Sequence, residues 1–401
     1  MIRKSRVIVA ALCALAVSAS ASANRSATPG VTSKQILLGG TTPTSGGTSA
    51  YAEGADAYFR YVNDHGGVYG RQVKYKYVDD GSDPAQTLQR TKDLVQNDKV
   101  FAIFNSLGTA ENLAVRDYLK QLKIPQLFVA SGASTFGRDY RKYPWTIGYQ
   151  PSYLSEGILY GRYVAKNRPT ARVGVLYEND EYGKELLTGL VRGLGKKAKL
   201  IVSTQPYDPA ASDVKAQIAR LKAKRVNALM LFATPKFAIQ SYVAARALAW
   251  RPLVFVDADS SAANIMLLAK IASSKGQVDG SLTISFLKDP SDPRWANDPA
   301  IRLYKSVMKK YQPKNDPKDL DNVYGMAAAY TMVDTLRKAG KNLTRAAVMN
   351  AALHLNEKNP FLLPGITVRT TPTNRFPVGQ ARLTRYHGGR WSVFGPIIGV
   401  R

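Results

Sequence analysis

Cysteine is almost absent from this sequence. Cys13 is the only cysteine among 401 residues, and it lies in the first 23. A mature chain that begins after residue 23 has no thiol, which excludes a disulfide framework, a thiol nucleophile and every cysteine-ligated metal site. Histidine is also scarce, since His65, His354 and His387 are far apart and form no i,i+4 pair. We therefore expect no metal site.

Long hydrophobic runs are missing as well. The run Val7 to Val17 is well short of the roughly 20 residues that span a bilayer, and no later segment approaches that length. It follows a basic segment, residues 3–6, and precedes the small residues Ala21-Ser22-Ala23. This order is typical of a secretory signal peptide. We predict a signal peptide over residues 1–23, and a mature chain without a membrane anchor.

Cys13 raises the alternative of a lipid-modified N-terminus. A lipoprotein cleavage site needs a small residue before the cysteine, and here that residue is Leu12. The simple secreted form is therefore favoured, and the lipidated form remains the alternative.

Acidic residues are too few to balance the basic ones. The chain has 56 Lys and Arg against 29 Asp and Glu, and its net charge of +27 becomes +24 once the three signal-peptide cations are removed. Such a charge suggests nucleic-acid binding. The cations are dispersed, however, in short groups such as 138–142, 196–199 and 222–225 among helical apolar positions. We exclude nucleic acid as a partner and attribute the charge to solubility, to anionic surfaces or ligands, or to an unusual habitat.

The motifs of common enzymes are also missing. There is no GxxxxGK[ST] loop, no GxGxxG after a strand and no GxSxG elbow. The glycine-rich stretch Gly39 to Gly47 lacks the spacing that cradles a pyrophosphate, and a plain turn is the simpler interpretation. Without a nucleophile and base pair or a metal, we identify no catalytic residue and expect no cofactor and no enzyme activity.

Short β-branched runs alternate with helical stretches along the chain. Alternation of this kind predicts βαβ units and parallel sheets, hence an α/β fold. Asp83-Pro84 predicts a capped helix start, and Ser212-Asp213 predicts another before Val214. The predicted strands are Gln35–Gly40, Gln72–Asp79, Val100–Asn105, Pro125–Ala130, Arg172–Tyr177, Leu200–Gln205, Ala228–Ala233, Leu253–Asp257 and Ser281–Phe286.

The alternation falls into two blocks, which predicts two Rossmann-like lobes. A first crossing is expected near Trp145 to Tyr153, a second near Val278 to Leu282 and a third in the irregular segment Leu363 to Thr371. A three-segment hinge would build each lobe from discontinuous pieces. We assign 31–149 with 280–363 to the N-terminal lobe, and 150–279 with 364–401 to the C-terminal lobe.

Polar loops follow two neighbouring predicted strands, where open α/β sheets bind ligands. Ser106 and Thr109 follow one strand and open a helix, whose free N–H groups can accept a carboxylate. Gly132 and Ser134 follow the next strand. Together they predict an anion cradle, although Thr109 as a simple helix cap is an equally good interpretation.

The chain resembles the leucine/isoleucine/valine-binding protein family, type I periplasmic solute receptors of ABC importers. The resemblance rests on an ordered series of short motifs over nearly the whole mature length. These are Val31-Thr32, Thr44-Ser45-Gly46 leading to Tyr51 and Gly54, Asn63-Asp64-His65-Gly66-Gly67 with Gly70-Arg71, Asp79-Asp80 with Asp83-Pro84, and Asn179-Asp180-Glu181-Tyr182-Gly183. Three further stretches, Gly148 to Tyr153, Ala233 to Phe237 and Leu363 to Ile366, resemble a subgroup with less uniform ligands.

The resemblance implies a clamshell that binds a solute between its lobes. Ser106 and Ser134 match positions that hold the ligand carboxylate in amino-acid receptors, and Gly132 offers its backbone groups to the ligand. Tyr51 and Tyr182 match aromatic cleft residues, and Thr234 matches another cleft contact. Tyr51 could instead simply pack on a helix face, and Tyr182 could cover the sheet edge.

The family's glutamate for the α-ammonium group has its nearest match here in Asp259, which is one methylene shorter. Asp259 could instead cap the helix near Ser261. The departure leaves aromatic or aliphatic acids and amides as alternatives to a branched-chain or other amino acid.

The resemblance also implies partners and a location. We expect a monomer in the periplasm that delivers a small-molecule ligand to the permease subunits of an ABC importer. A ligand-sensing module of a regulator and a secreted α/β enzyme are the two alternatives.

Overall fold

The computed structural model describes residues 28–44, 49–273 and 278–399. The predicted signal peptide and part of the glycine-rich stretch Gly39 to Gly47 lie outside these ranges. Within them, no helix has the length and apolar character needed to cross a membrane.

The first sheet contains five parallel strands in the order β2-β1-β3-β4-β5. Residues such as Ile36, Leu38 and Phe104 on these strands are fully buried, as expected for a parallel sheet covered on both faces. The elements of this part of the chain are β1 Gln35–Thr41, α1 Ala50–Asp64, β2 Gln72–Val78, α2 Pro84–Gln96, β3 Ala102–Phe104, α3 Thr109–Gln121, β4 Gln126–Val129, α4 Thr135–Arg138 and β5 Thr146–Gly148.

The second sheet contains seven strands in the order β14-β13-β10-β9-β8-β6-β7. Its elements are α5 Tyr153–Asn167, β6 Val173–Glu178, α6 Glu181–Leu194, β7 Ile201–Tyr207, α7 Lys215–Ala223, β8 Ala228–Phe232, α8 Pro235–Ala247, β9 Leu253–Val256, α9 Ala263–Ala272, β10 Leu282–Ser285, β13 Gln380–His387 and β14 Arg390–Gly399. The remaining elements are α10 Pro299–Tyr311, α11 Leu320–Ala339, α12 Arg345–Ala352, β11 Asn356–Glu357 and β12 Val368–Arg369.

The α/β fold with parallel central sheets is confirmed, and each of the nine predicted strands is present within two residues at either end. Asp83 caps α2 as predicted, since its carboxylate accepts hydrogen bonds from the N–H groups of Ala85 and Gln86. Near the start of α7, Asp213 accepts from the N–H of Lys215 at 3.0 Å.

The second sheet departs from the prediction at one edge. Strands β13 and β14 form a hairpin antiparallel to β10, so this sheet is mixed rather than wholly parallel. The hairpin turns at Gly388 and Gly389, which both have positive φ (58° and 85°). Two such residues in succession are what a type I′ turn requires.

Glycines bring the helices α5 and α6 unusually close. A Cβ atom built on Gly157 would lie 2.2 Å from the carbonyl oxygen of Leu186, and one on Gly189 would lie 2.2 Å from that of Leu154. Gly161 and Gly193 make equivalent approaches one turn further along. The backbones therefore pack directly on each other, and α5 and α6 form one rigid layer on the second sheet.

Three segments link the two lobes, and backbone hydrogen bonds tie them together. The first follows β5 and contains Gln150 and Pro151. The second follows β10, where Leu287 and Leu362 form an antiparallel bridge. The third precedes β13, and the N–H of Val378 donates to the carbonyl of Tyr149 at 3.0 Å.

Two lobe boundaries differ from the prediction. Strand β10 pairs with β9, so residues 282–285 lie in the second sheet although they were assigned to the N-terminal lobe from 280. Ile366, Val368 and Val378 pack in the core beneath the first sheet although 364–401 was assigned to the C-terminal lobe. Sheet and core membership therefore favour crossings near residues 285 and 378, and the division into lobes remains a prediction.

Candidate functional site

A small, partly open cavity lies between the two lobes. Its walls come from the start of α1, the crossing segments, the turn after β9, the end of β10 and the start of α11. The lining residues are Tyr51, Gln150, Ala258, Asp259, Ser261, Ile284, Ser285, Phe286, Leu287, Leu320, Asp321 and Tyr324. The cavity volume is about 30 Å³, which holds only water-sized groups. The lobes are therefore closed on each other in this arrangement.

Asp259 is held rigidly at one side of the cavity. It lies in a short 3-10 turn after β9, which Asp257 caps by accepting from the Asp259 N–H at 3.1 Å. One oxygen of Asp259 accepts from Gln150 Nε2 at 2.8 Å, and the other accepts from the hydroxyl of Tyr153 at 2.5 Å. Burial raises the pKa of the Asp259 carboxyl above its usual range. These contacts fix the carboxyl group where the crossing segment meets the second lobe.

A second carboxyl group, Asp321, faces the cavity from the first lobe. It occupies the first turn of α11 and forms a hydrogen bond with the hydroxyl of Tyr51. Burial, and then the nearby charge of Asp319, raise the pKa of Asp321 well above its usual range. The position of Asp321 at the N-terminus of α11 acts in the opposite direction, because the helix dipole favours the charged carboxylate.

Tyr51 and Tyr324 form the aromatic side of the cavity. Their ring centroids are 4.8 Å apart in an edge-to-face arrangement. The Tyr324 hydroxyl is buried and has no hydrogen-bond partner among the described residues. A buried hydroxyl without a partner is costly, so this group is available to a ligand that enters here.

The cavity is acidic although the whole chain is strongly basic. Two carboxyl groups, Asp259 and Asp321, line it, and none of its lining residues is a lysine or arginine. Gln150, Ser261 and Ser285 add neutral polar groups. A lining of this kind complements a cationic, hydrogen-bond-donating group better than an anion.

Among the eight predicted site residues, the cavity brings together two, Tyr51 and Asp259. The predicted anion cradle lies outside the lining, and its groups bond to the protein itself. Ser106 Oγ accepts from the Thr41 N–H at 3.0 Å. Thr109 Oγ1 lies 2.7 Å from Ser131 Oγ.

Gly132 supports the site indirectly. A Cβ atom at this position would come within 2.6 Å of the Tyr153 ring, and its carbonyl accepts from the Tyr153 N–H at 2.7 Å. Gly132 therefore lets Tyr153 approach closely, and the Tyr153 hydroxyl in turn holds Asp259.

The backbone N–H of Ser134 binds a carboxylate, and this carboxylate belongs to the protein itself. The Ser134 N–H donates to Glu185 Oε2 at 2.8 Å, which joins the first lobe to helix α6 of the second. The predicted cradle thus binds an anion in this closed arrangement, and the anion belongs to the opposite lobe.

The other two residues predicted on the second lobe, the buried Tyr182 and the half-buried Thr234, lie outside the cavity lining. Tyr182 packs edge-to-face on Tyr153, with ring centroids 4.9 Å apart. Thr234 belongs to a separate network, since its Oγ1 donates to Glu178 at 3.2 Å and its N–H donates to the Tyr207 hydroxyl at 3.0 Å. A ligand role for all eight predicted residues remains a prediction.

Sequence reasoning missed Gln150, Asp321 and Tyr324. Gln150 follows a strand of only three residues, which gave no periodicity to mark its end. Asp321 looks like an ordinary acidic residue in the first turn of a helix. The pair Asp321 and Tyr324 lies one helical turn apart on one face, which is the only local signal that the two could act together.

The chain belongs to the periplasmic binding protein family, whose model matches residues 35–390. Members of this family are solute-binding proteins, and a solute-binding role for this chain follows from its membership.

Among curated proteins, the chain is 24% identical over 338 residues to Leu/Ile/Val-binding protein homolog 2 of Brucella abortus, covering 83% of this chain and 85% of that protein. Among solved structures, it resembles a branched-chain amino acid ABC transporter protein from Thermus thermophilus with bound valine (TM-score 0.77, 19% identity, 91% and 96% of the two chains). It also resembles a solute-binding protein from R. palustris in complex with benzoate (TM-score 0.75, 16% identity, 91% and 98%). Similar folds in this family therefore hold chemically different ligands.

Proposed function

We propose that this protein is the periplasmic receptor of an ABC importer and binds a small solute with a protonated amine between its lobes. An amino acid with an apolar side chain is the preferred ligand. The receptor acts as a monomer, is secreted through a cleaved signal peptide over residues 1–23, and catalyses no reaction.

The observation that carries this proposal is the pair of carboxyl groups, Asp259 and Asp321, in a cavity without a lining cation. An ammonium group placed between them would satisfy both and would lower the cost of their burial. The ligand's apolar part would lie against Tyr51, Tyr324 and Phe286. A nitrogen-free acid in the same place would add a third negative charge or require both carboxyl groups to be protonated.

The ligand's carboxylate has a candidate partner in the Ser134 N–H group. Glu185 occupies that donor when the cavity is closed and small. We infer that ligand entry separates the lobes and breaks this contact, and that the bound state closes around a larger ligand-filled space. The carboxylate of the ligand would then replace that of Glu185 at Ser134.

A matched set of three ligands tests the amine. Leucine, 4-methylpentanoate (leucine without the amine) and 3-methylbutylamine (leucine without the carboxylate) share one apolar body. Isothermal titration calorimetry should rank leucine first, the amine second and the acid last. Phenylalanine, 3-phenylpropanoate and phenethylamine form a parallel set for a larger side chain.

The ranking separates the alternatives. Tighter binding of 4-methylpentanoate or 3-phenylpropanoate than of the matching amine would assign the site to aromatic or aliphatic acids. Equal binding of leucine and 3-methylbutylamine would remove Ser134 from the site but keep the amine pocket.

A further inference from the structure

The structure places a dense group of cations at one edge of the second sheet. In a parallel sheet, the loops that lead from each helix into the next strand all meet at the amino ends of the strands. Four such loops precede β6, β7, β8 and β9, which are neighbours in the order β9-β8-β6-β7. They span residues 163–172, 190–200, 221–227 and 246–252.

These four loops, with the helix ends that lead into them, carry twelve exposed cations. We call them the basic edge: Lys166, Arg168, Arg172, Arg192, Lys196, Lys197, Lys199, Lys222, Lys224, Arg225, Arg246 and Arg251. The same four segments contain no aspartate or glutamate. Two of the short groups that look dispersed in the sequence, 196–199 and 222–225, therefore come together in space.

Hydrogen bonds show that the loops of the basic edge are in direct contact. Lys222 Nζ donates to the Leu248 carbonyl at 2.5 Å, and Arg172 Nη2 donates to the Lys224 carbonyl at 2.8 Å. Lys197 Nζ donates to the Ala165 carbonyl at 2.7 Å. Each adjacent pair of loops is thus joined, and the basic edge is one continuous surface about 15 Å wide across four strands.

The corresponding loops of the first sheet are different, because they contain acidic residues that pair with cations. Asp98 lies 2.7 Å from Lys76, and Asp139 lies 3.1 Å from Arg138. Across the described residues, no cation of the basic edge takes part in an ion pair. The basic edge therefore concentrates twelve cations that form no ion pair in the described structure.

We propose that the basic edge docks on a membrane surface through anionic lipid headgroups. Its cations are long, flexible and spread over a surface, which suits a diffuse layer of negative charge. A protein interface would have an aromatic or apolar centre, whereas Val191 is the only large apolar side chain exposed in these loops as described. Single-stranded nucleic acid would need exposed aromatic rings for stacking, and the described part of the basic edge has none.

The basic edge and the cavity lie at opposite ends of the same strands. Asp259 follows the carboxyl end of β9, whereas Arg251 precedes its amino end. Docking therefore leaves the cavity open to solute, and it does not depend on which solute binds. The inference stands independently of the proposed function.

Vesicle flotation tests the proposal with the mature chain and two variants of equal net charge. The first variant replaces Lys166, Lys196, Lys199 and Lys224 of the basic edge with glutamine. The second, a control, replaces the exposed Lys305, Lys309, Lys314 and Lys318 of the first lobe with glutamine. In the described structure, none of these eight ammonium groups makes a hydrogen bond, so both variants should fold, as circular dichroism and melting temperature will verify.

The wild-type chain should bind vesicles that contain phosphatidylglycerol and should not bind vesicles of phosphatidylcholine alone. Loss of four cations from the basic edge should lower the partition coefficient by up to about three orders of magnitude, while the control should retain most of its binding. Equal losses in the two variants would mean that net charge alone is responsible, and would overturn the proposal. Saturable binding of free inorganic phosphate, or binding of soluble polyglutamate as tight as that of vesicles, would also overturn it.

Discussion

Replacing Asp259 with asparagine tests the proposed amine pocket most directly. The carboxyl group of Asp259 is buried and accepts hydrogen bonds from Gln150 and Tyr153, so its position is fixed before a ligand arrives. Asparagine retains the size of the side chain but removes the charge. A buried ammonium group that loses its partner costs about 3–5 kcal/mol. Because Asp321 remains nearby, we expect the lower part of that range, a loss of about 100-fold in affinity for an amine ligand.

The same substitution should have the opposite effect on the stability of the ligand-free protein. Burial raises the pKa of Asp259 in the folded state, so its charged form destabilises the fold at neutral pH. Asparagine removes that cost, and the variant should unfold at an equal or higher urea concentration. A variant that binds weakly but folds at least as well cannot be explained by general damage.

Calorimetry supplies both the affinity and a proton count. Binding of an ammonium group should release protons from Asp259 and Asp321 over the pH range in which these carboxyl groups are partly protonated, because burial raises their pKa values and the cation lowers them. The affinity should therefore rise with pH, and titrations in buffers of different ionisation enthalpy should show fewer protons released by Asp259→Asn. Asp208→Asn, which removes one exposed charge from the same lobe, is the matched control and should bind as the wild type does. An amine ligand that tolerates Asp259→Asn would refute the reasoning.

Three further predictions follow from contacts elsewhere in the chain. Gly189→Ala should lower the free energy of unfolding by about 1–3 kcal/mol, because its Cβ would meet a backbone carbonyl at 2.2 Å. In the control Gly148→Ala the nearest contact is 3.6 Å, so the same calorimetric melt should show a much smaller loss of stability. Burial raises the pKa of Glu357 to about 8, so its charge destabilises the fold increasingly as the pH rises from about 5 to 8. Over that window, Glu357→Gln should become more stable than the wild type by a few kcal/mol. A difference in urea midpoint that stays constant with pH would contradict this. Glu185→Gln should weaken the interlobe contact with Ser134 and increase the radius of gyration of the ligand-free protein in small-angle scattering without changing that of the saturated protein.

The central strands could be predicted because their residues are buried on both faces and form short apolar runs. Their order in the sheet could not, since a strand such as β10 has the same local pattern whichever sheet it joins. Tertiary contacts decide that β10 pairs with β9, and this pairing places residues 282–285 in the second sheet rather than in the predicted N-terminal lobe. The hairpin of β13 and β14 carried a readable signal in Gly388-Gly389, and the prediction missed it.

The candidate site was predictable only in part. Asp259 and Tyr51 were found through a family resemblance, and the structure places both in the cavity wall. The predicted cradle rested on hydroxyl and glycine residues at strand ends, which serve equally well to satisfy the protein's own backbone, as Ser106 does for Thr41. Asp321 lies far in sequence from Tyr51, Gln150 and Asp259, so only the folded chain could connect it to them.

The three crossings between the lobes also determine when the chain can fold. The core of the first lobe is incomplete until α10, α11 and α12 are present, and Arg345 closes it by donating to the carbonyls of Phe101 and Val100 at 2.9 and 3.0 Å. During synthesis, the first 280 residues therefore expose an unfinished apolar surface and lack a stable first lobe. We therefore expect the first lobe to stay incomplete until synthesis is nearly finished. For a chain secreted as proposed above, this late closure would keep the polypeptide competent for export.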